Sequence, residues 1–335
     1  MADNITILGA GSWGMAMARH LHRTGNRVML WEFEPNEYRR LIENRAIPEK
    51  LRDFALPEGI FITNDLDEAV DFCHLMVLAV PAQYVRSVVS RIGHRLSHID
   101  GGVVNLAKGI EASSLRRVSE ILHEESPEPL RKIVTMSGPS HAEEVIRDMP
   151  TTVVAAGPDD PFVEYVQQVF STNSFRVYKS DDLVGVELGG SLKNIIAIAA
   201  GILDGLGLGD NTKGALITRG LAEITRLGVA MGAQAETFAG LSGVGDLVTT
   251  CFSRHSRNRY VGEHIARGEK LPAILDQLKM VAEGVETTRS GRELARIHNV
   301  EMPITEQIYQ VLFEDKTPST AIEDLMGRDL KPEIW

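Results

Sequence analysis

The sequence predicts an α/β protein, with a doubly wound sheet over residues 1–180 and an all-α C-terminal domain over residues 181–335. Three observations carry this expectation. A short apolar run enters a glycine-spaced turn near the N-terminus, and a helical pattern leaves it. Apolar strand-like runs then alternate with helical stretches to about residue 180. Beyond that point only helices and turns are legible. A chain of 335 residues has room for about two such domains. With 43% hydrophobic and 24% charged residues, each can bury an ordinary core.

The first turn is Gly9-Ala10-Gly11-Ser12-Trp13-Gly14, entered by Ile5–Leu8 and left by Met15, Ala16, Ala18 and Leu21. Strand, glycines and helix in that order are the context of a dinucleotide fingerprint, and so of a Rossmann-type sheet. Gly9 allows the tight turn, Gly11 leaves room for a pyrophosphate, and Gly14 lets helix and strand pack closely. The helix N-terminus then offers unpaired N–H groups to the phosphates. Arg27–Trp31 reads as the second strand, with Glu32 after it. A carboxylate there accepts from ribose hydroxyls and repels a 2′-phosphate. Glu34 competes for this role, and a solvated loop carboxylate is the alternative for both. Residues 35–57 are polar and irregular, with helical stretches. Leu75–Pro81, Val103–Gly109 and Ile133–Ser140 are apolar runs suited to buried parallel strands, and Thr152–Ala156 and Phe175–Tyr178 complete the series. Ligands of such sheets lie beyond the C-terminal strand ends, where Lys108 and Ser137-Gly138-Pro139-Ser140 fall. A lysine so placed is either a ligand group or a solvated surface charge.

In the second half, Ser180-Asp181-Asp182 can cap a helix start. Leu188–Leu203 is apolar nearly all round, as a buried central helix should be. Its one charge, Lys193, sits among Leu192, Ile195 and Ile196. Snorkelling to water is the bland explanation, but it suits a helix end better than a helix middle. Burial instead lowers a lysine's pKa toward the range useful for proton transfer. Leu216–Met231 reads as a further helix ended by Gly232. Gly240, Gly243 and Gly245 then constrain a turn into Asp246, which is either a helix cap or a site carboxylate. Ser253–Arg259 holds Arg254, Arg257 and Arg259 beside Asn258, a set suited to binding an anion such as phosphate or, more blandly, a solvated basic loop. Cys251 reads as a packed thiol.

The net charge of −11, with no basic run, argues against a nucleic-acid partner. Two distant cysteines, Cys73 and Cys251, suggest a reducing compartment without a disulfide framework. The ten histidines show no ligand spacing, so no metal is expected. The start, Met1-Ala2-Asp3-Asn4, has no signal-peptide pattern. The longest apolar stretch is interrupted by Lys193 and Asn194, so no membrane insertion is expected.

Eight stretches together resemble the soluble, nicotinamide-dependent glycerol-3-phosphate dehydrogenases of bacteria. They are Gly9–Gly14, Asn105–Gly109, Ser137–Ser140, Glu187–Asn194, Leu216–Glu223, Gly243–Leu247, Ser256–Asn258 and Val281–Gly284. They run in family order from position 9 to about 310. The resemblance implies a cytoplasmic homodimer with a Rossmann domain and a helical domain of the 6-phosphogluconate-dehydrogenase-like kind. It implies interconversion of dihydroxyacetone phosphate and sn-glycerol 3-phosphate, the backbone of glycerophospholipids. It assigns proton transfer to Lys193, with Asp246 orienting it and Lys108 polarising the substrate carbonyl. Arg257 and Asn258 would hold the phosphate, with Ser256, Gly138 and Ser140 as further donors and Asn194 beside the substrate. Ser12, Trp13, Lys108, Ala142, Arg257, Val281 and Glu283 carry over as cofactor contacts, alongside the glycine turn, Glu32 and Phe33.

The cofactor is NAD or NADP. Trp31-Glu32-Phe33-Glu34 departs from the basic or histidine residues of many bacterial members and resembles the NAD-dependent eukaryotic ones, so NAD is favoured. Two other functions fit parts of the sequence. A related hydroxy-acid dehydrogenase would keep the fold and the helix-borne lysine. A non-catalytic NAD(H) sensor would keep the glycine turn but have no need of Lys193.

Overall fold

The computed structural model describes residues 2–278 and 280–333. Among them, eight strands form one sheet: β1 (Asn4–Leu8), β2 (Arg27–Trp31), β3 (Phe61–Thr63), β4 (Leu75–Leu78), β5 (Val103–Asn105), β6 (Ile133–Ser137), β7 (Thr151–Ala156) and β8 (Phe175–Ser180). Their order is β3-β2-β1-β4-β5-β6-β7-β8. The first six are mutually parallel, with registers such as Leu8↔Trp31 and Leu8↔Leu78. The order reverses beside β1, so a crevice opens beyond its C-terminal end.

Two features of the sheet depart from the sequence reading. β3 was not anticipated, because three residues at a sheet edge are too short to display a period. β7 runs antiparallel to β6. A parallel return needs a long crossover, usually helical, and the link from β6 to β7 holds only the four-residue helix Ala142–Val145. The strands expected at Arg27–Trp31 and at the apolar runs of residues 75, 103 and 133 form where predicted.

Helices cover both faces of the sheet and bury Ile5, Ile7, Val77 and Val104 on one side and Leu8, Met76, Leu78 and Val103 on the other. Two residues after β8 the helical half begins with Leu183–Gly205. Asp182 caps this helix, accepting from the Gly185 N–H at 2.8 Å, as Ser180-Asp181-Asp182 predicted. The helix is buried from Gly185 to Leu203. It is long and apolar enough to cross a membrane, but here its apolar window lies wholly inside the core. The next long helix is Asp210–Ala230, starting before the expected Leu216. It packs on the central helix together with Asp246–Phe252, Arg257–Ala266 and Glu283–Ile297.

Candidate active site

A cleft of about 560 Å³ runs along the C-terminal strand ends, between Glu32 and Phe33 at one end and Lys193, Asp246 and Arg257 at the other. Its floor is the glycine turn. Gly9 has φ +110°, and a Cβ there would lie 2.9 Å from the Ala79 backbone. At Gly14 a Cβ would stand 1.9 Å from the Gly9 carbonyl oxygen, so only glycine lets the first helix, Ser12–Arg23, sit this close. Above Gly11 there is open space, and no side chain caps that helix. Its free N–H groups and cleared approach fit a pyrophosphate. Trp13 lines the cleft, and Ser12 donates to the Lys50 carbonyl at 2.7 Å.

At the far end, Glu32 is buried and its carboxylate accepts from the Glu34 N–H (2.9 Å) and Lys50 Nζ (3.2 Å). Lys50 also donates to the Ala10 carbonyl (3.0 Å) and pairs with Glu37. Glu34 caps the helix Pro35–Asn44 through the Glu37 N–H, and both acids line the cleft. Phe33 is 68% exposed and presents an uncovered ring to the cleft. Lys50 belongs to the irregular stretch after the second strand, where no pattern singled it out.

The other end is built on Asp246. Its Oδ1 accepts from Lys193 Nζ at 2.6 Å and its Oδ2 from Lys108 Nζ at 2.7 Å. Asp246 therefore lines the cleft with both oxygens paired to lysines, although it begins the helix Asp246–Phe252. Thr250, one turn on, accepts from Lys193 at 2.5 Å. The four-residue spacing puts Asp246 and Thr250 on one helix face, a signal present in the sequence but not used. Lys108 also donates to the Gly138 carbonyl (2.9 Å) and Ser140 Oγ (3.2 Å). The Gly138 carbonyl is thus turned to Lys108, and neither Gly138 nor the buried Ala142 lines the cleft.

Burial pushes the Lys193 ammonium down to about 8, with Lys108 adding to the fall and Asp246 opposing it. Burial pushes the Asp246 carboxyl up, but the two ammoniums outweigh it and hold the group below its ordinary value. His141, also missed from the sequence, lines the cleft with its Nε2 buried and unpartnered. Burial, then Lys193 and Lys108, lowers it to about 4, so its imidazole is neutral at pH 7.

Asn194 donates to the Lys108 carbonyl (3.3 Å) and accepts from Asn258 Nδ2 (2.9 Å), while Asn258 Oδ1 accepts from the Gly284 N–H (2.9 Å). Ser256 caps the helix Arg257–Ala266. Of the three arginines in this segment only Arg257 lines the cleft; Arg259 is paired with Asp204 at 2.5 Å and Arg254 is exposed. Val281 and Glu283 reach the cleft from the helical half. Glu283 accepts from the Ala82 N–H at 2.9 Å, and burial raises it to about 7. Cys251 is buried, its thiol pushed up to about 12 by burial, as befits a packing group.

Residues 4–163 match the family model for the N-terminus of NAD-dependent glycerol-3-phosphate dehydrogenase, and residues 182–323 match that for its C-terminus. Glycerol-3-phosphate dehydrogenase (NAD(P)+) 2 of Salinibacter ruber is 49% identical over 336 residues, spanning 100% of this chain and 97% of that protein. Glycerol-3-phosphate dehydrogenase (NAD(P)+) of a Thermoanaerobacter species is 50% identical, with 98% of each chain covered. The crystal structure of glycerol-3-phosphate dehydrogenase from Coxiella burnetii superimposes with a TM-score of 0.92 at 36% identity, covering 98% of this chain and 99% of that one. On the matched halves and the full-length relatives, this chain belongs to the NAD-dependent glycerol-3-phosphate dehydrogenase family.

Proposed function

We propose that this protein interconverts dihydroxyacetone phosphate and sn-glycerol 3-phosphate, with Lys193 as the proton-transfer group. The observation that carries this reading is a pair of lysines, Lys193 buried and Lys108 half-buried, sharing Asp246 at the end of a dinucleotide-sized cleft. When bound, the nicotinamide supplies the hydride for the substrate C2. As the C2–O double bond opens, its oxygen takes up charge and needs a proton. Lys193 Nζ gives that proton in reduction and takes it back in oxidation. Asp246 keeps the ammonium oriented and charged despite burial, and Thr250 fixes its direction. Lys108 stabilises the developing oxyanion from the second side of the same carboxylate. Arg257, at the N-terminus of its helix, takes the phosphate and so positions C2. Asn258 and Ser256 shape that subsite mainly by holding Asn194, Gly284 and the helix in place. In this reading Ser140 and Asn194 fix Lys108, and Ser12, Trp13, Val281 and Glu283 line the cofactor's course.

The product is a glycerophospholipid backbone, and the reading includes a cytoplasmic homodimer, which size-exclusion chromatography with light scattering tests. The decisive assay follows NADH oxidation on addition of dihydroxyacetone phosphate. Loss of absorbance at a rate proportional to enzyme is expected; no turnover with NADH or NADPH would overturn the proposal. NADH is expected to be the better substrate. Glu32 holds a carboxylate at the ribose end, and the charge of Lys50 is already shared between Glu32 and Glu37. NADH should lead by about tenfold or more in kcat/KM, in line with the loss of one charge-matched contact. The double substitution Glu32→Arg, Phe33→Arg should move the preference toward NADPH. Equal or better kcat/KM with NADPH in the unaltered enzyme would remove the argument from Glu32.

A further inference from the structure

Two motifs contain residues that the reaction leaves unused, Asn105 in Asn105–Gly109 and Glu187 in Glu187–Asn194. Both belong to one buried network. Glu187 lies on the central helix, six residues and about 9 Å of axis before Lys193. Its carboxylate accepts from the Ser119 N–H (2.9 Å), Ser119 Oγ (2.6 Å), Arg117 Nη1 (2.6 Å) and Thr135 Oγ1 (3.3 Å). The anion therefore sits at the N-terminus of the helix Val118–Glu125, facing an arginine, where a carboxylate is well held. Thr135 on β6 in turn accepts from Asn105 Nδ2 at 3.2 Å. Asn105 clasps the Ala107 backbone, accepting from its N–H at 2.9 Å and donating to its carbonyl at 3.3 Å. The next residue is Lys108. Glu187, Ser119, Thr135 and Asn105 are all buried, so the chain of bonds is shielded from water. The helix also comes close enough at Gly190 that a Cβ would stand 2.4 Å from Ser137 Oγ and 3.6 Å from Lys108 Cγ.

We propose that Glu187 is a positioning residue that fixes the spacing of Lys193 and Lys108 by tying the central helix, through Thr135 and Asn105, to the loop that carries Lys108. One end of the network holds the helix of Lys193 and the other ends one peptide from Lys108. Both ammoniums must reach opposite oxygens of one carboxylate, and that requires their backbones to stay at a set distance. The proposal rests on the assignment of proton transfer to Lys193.

Glu187→Gln and the near-isosteric Thr135→Val test it. A misplacement of the order of 1 Å costs up to about 100-fold in rate, so kcat should fall about 10- to 100-fold in the first variant and less in the second. NADH affinity, read by fluorescence titration, should stay within about twofold, because the network does not touch the glycine turn. The diagnostic readout is the alkaline limb of kcat for carbonyl reduction. Lys193 faces Asp246 and Cys251 from one helix, Lys108 from the β5 loop and His141 from the β6 loop. When Lys108 recedes, its repulsion of the Lys193 ammonium weakens, and the limb should move to higher pH by about half a unit or more. A fall in kcat with the limb unmoved would make Glu187 a purely structural tie and overturn the proposal, as would unchanged kcat. If Glu187→Gln fails to fold, the limb of Thr135→Val decides in the same way. Absence of turnover in the unaltered enzyme would instead count against the assigned reaction.

Discussion

Lys193→Ala is expected to lower kcat for reduction of dihydroxyacetone phosphate by about 10³-fold or more, at the upper end of what a positioned proton donor supplies. NADH affinity should remain, because the side chain is bonded to Asp246 and Thr250 and not to the glycine turn. The loss should exceed the simple absence of a donor. Without its ammonium, Asp246 keeps one cation, Lys108, and a long hydrogen bond from Thr250 Oγ1 (3.3 Å) in a buried site, and the carboxylate then repels the developing oxyanion. Lys193→Met, which preserves most of the volume, should lose as much, separating chemistry from packing. The pH dependence has a definite sign. With burial holding Lys193 near 8, reduction needs the ammonium and should be flat below that pH and fall above it. Oxidation needs the amine and should rise with pH to a plateau above about 8. Stopped-flow or steady-state kcat profiles in both directions check this. Coincident slopes of the same sign in both directions would assign the proton to another group.

What the sequence made legible was what local pattern encodes. The glycine turn is contiguous, and its strand and helix flank it directly, so its geometry follows from adjacency. Lys193 stood out because a charge amid Leu192, Ile195 and Ile196 contradicts an otherwise buried helix. Asp246 was legible as a candidate but ambiguous, since a helix cap and a site carboxylate occupy the same place in sequence. What bears on the choice is the arrival of Lys193 and Lys108, 53 and 138 positions away. The arginine segment misled in part. Arg259 pairs with Asp204 across 55 positions, and nothing local distinguishes it from Arg257. Lys50, His141 and the Glu187 network are long-range for the same reason: their partners are brought close by the sheet order, which no period reports. The reversal of β7 was likewise hidden, because alternation of apolar runs does not encode strand direction.

The second large effect is expected at Arg257. The family resemblance gives Asn258 and Ser256 a share of the phosphate with it, and in the folded chain both also have protein partners. Asn258 joins Asn194 to Gly284, and Ser256 accepts from the Arg259 N–H as a helix cap. Arg257 forms no ion pair among the described residues, and it faces the cleft from the N-terminal turn of its helix. Burial lowers its pKa somewhat, with Glu283 and Glu143 opposing, and an arginine so placed still carries its charge at neutral pH. It is the group on that helix end with a fork open to a dianion. Two charge-assisted hydrogen bonds of about 1.5–3 kcal/mol each make Arg257→Ala cost about 10³-fold in kcat/KM for dihydroxyacetone phosphate. Part of the loss should appear in kcat, because holding the remote phosphate is what places C2 for hydride transfer. Arg257→Lys should recover only part, since it restores the charge without the fork. The control is dihydroxyacetone, which has the same carbonyl and no phosphate. Its slow reduction should be nearly indifferent to the substitution, and NADH affinity should change little. An equal loss with both substrates would place Arg257 in the cofactor's subsite or in the fold, and the phosphate would then have to be held by Lys108 and the backbone N–H groups ahead of Asn258.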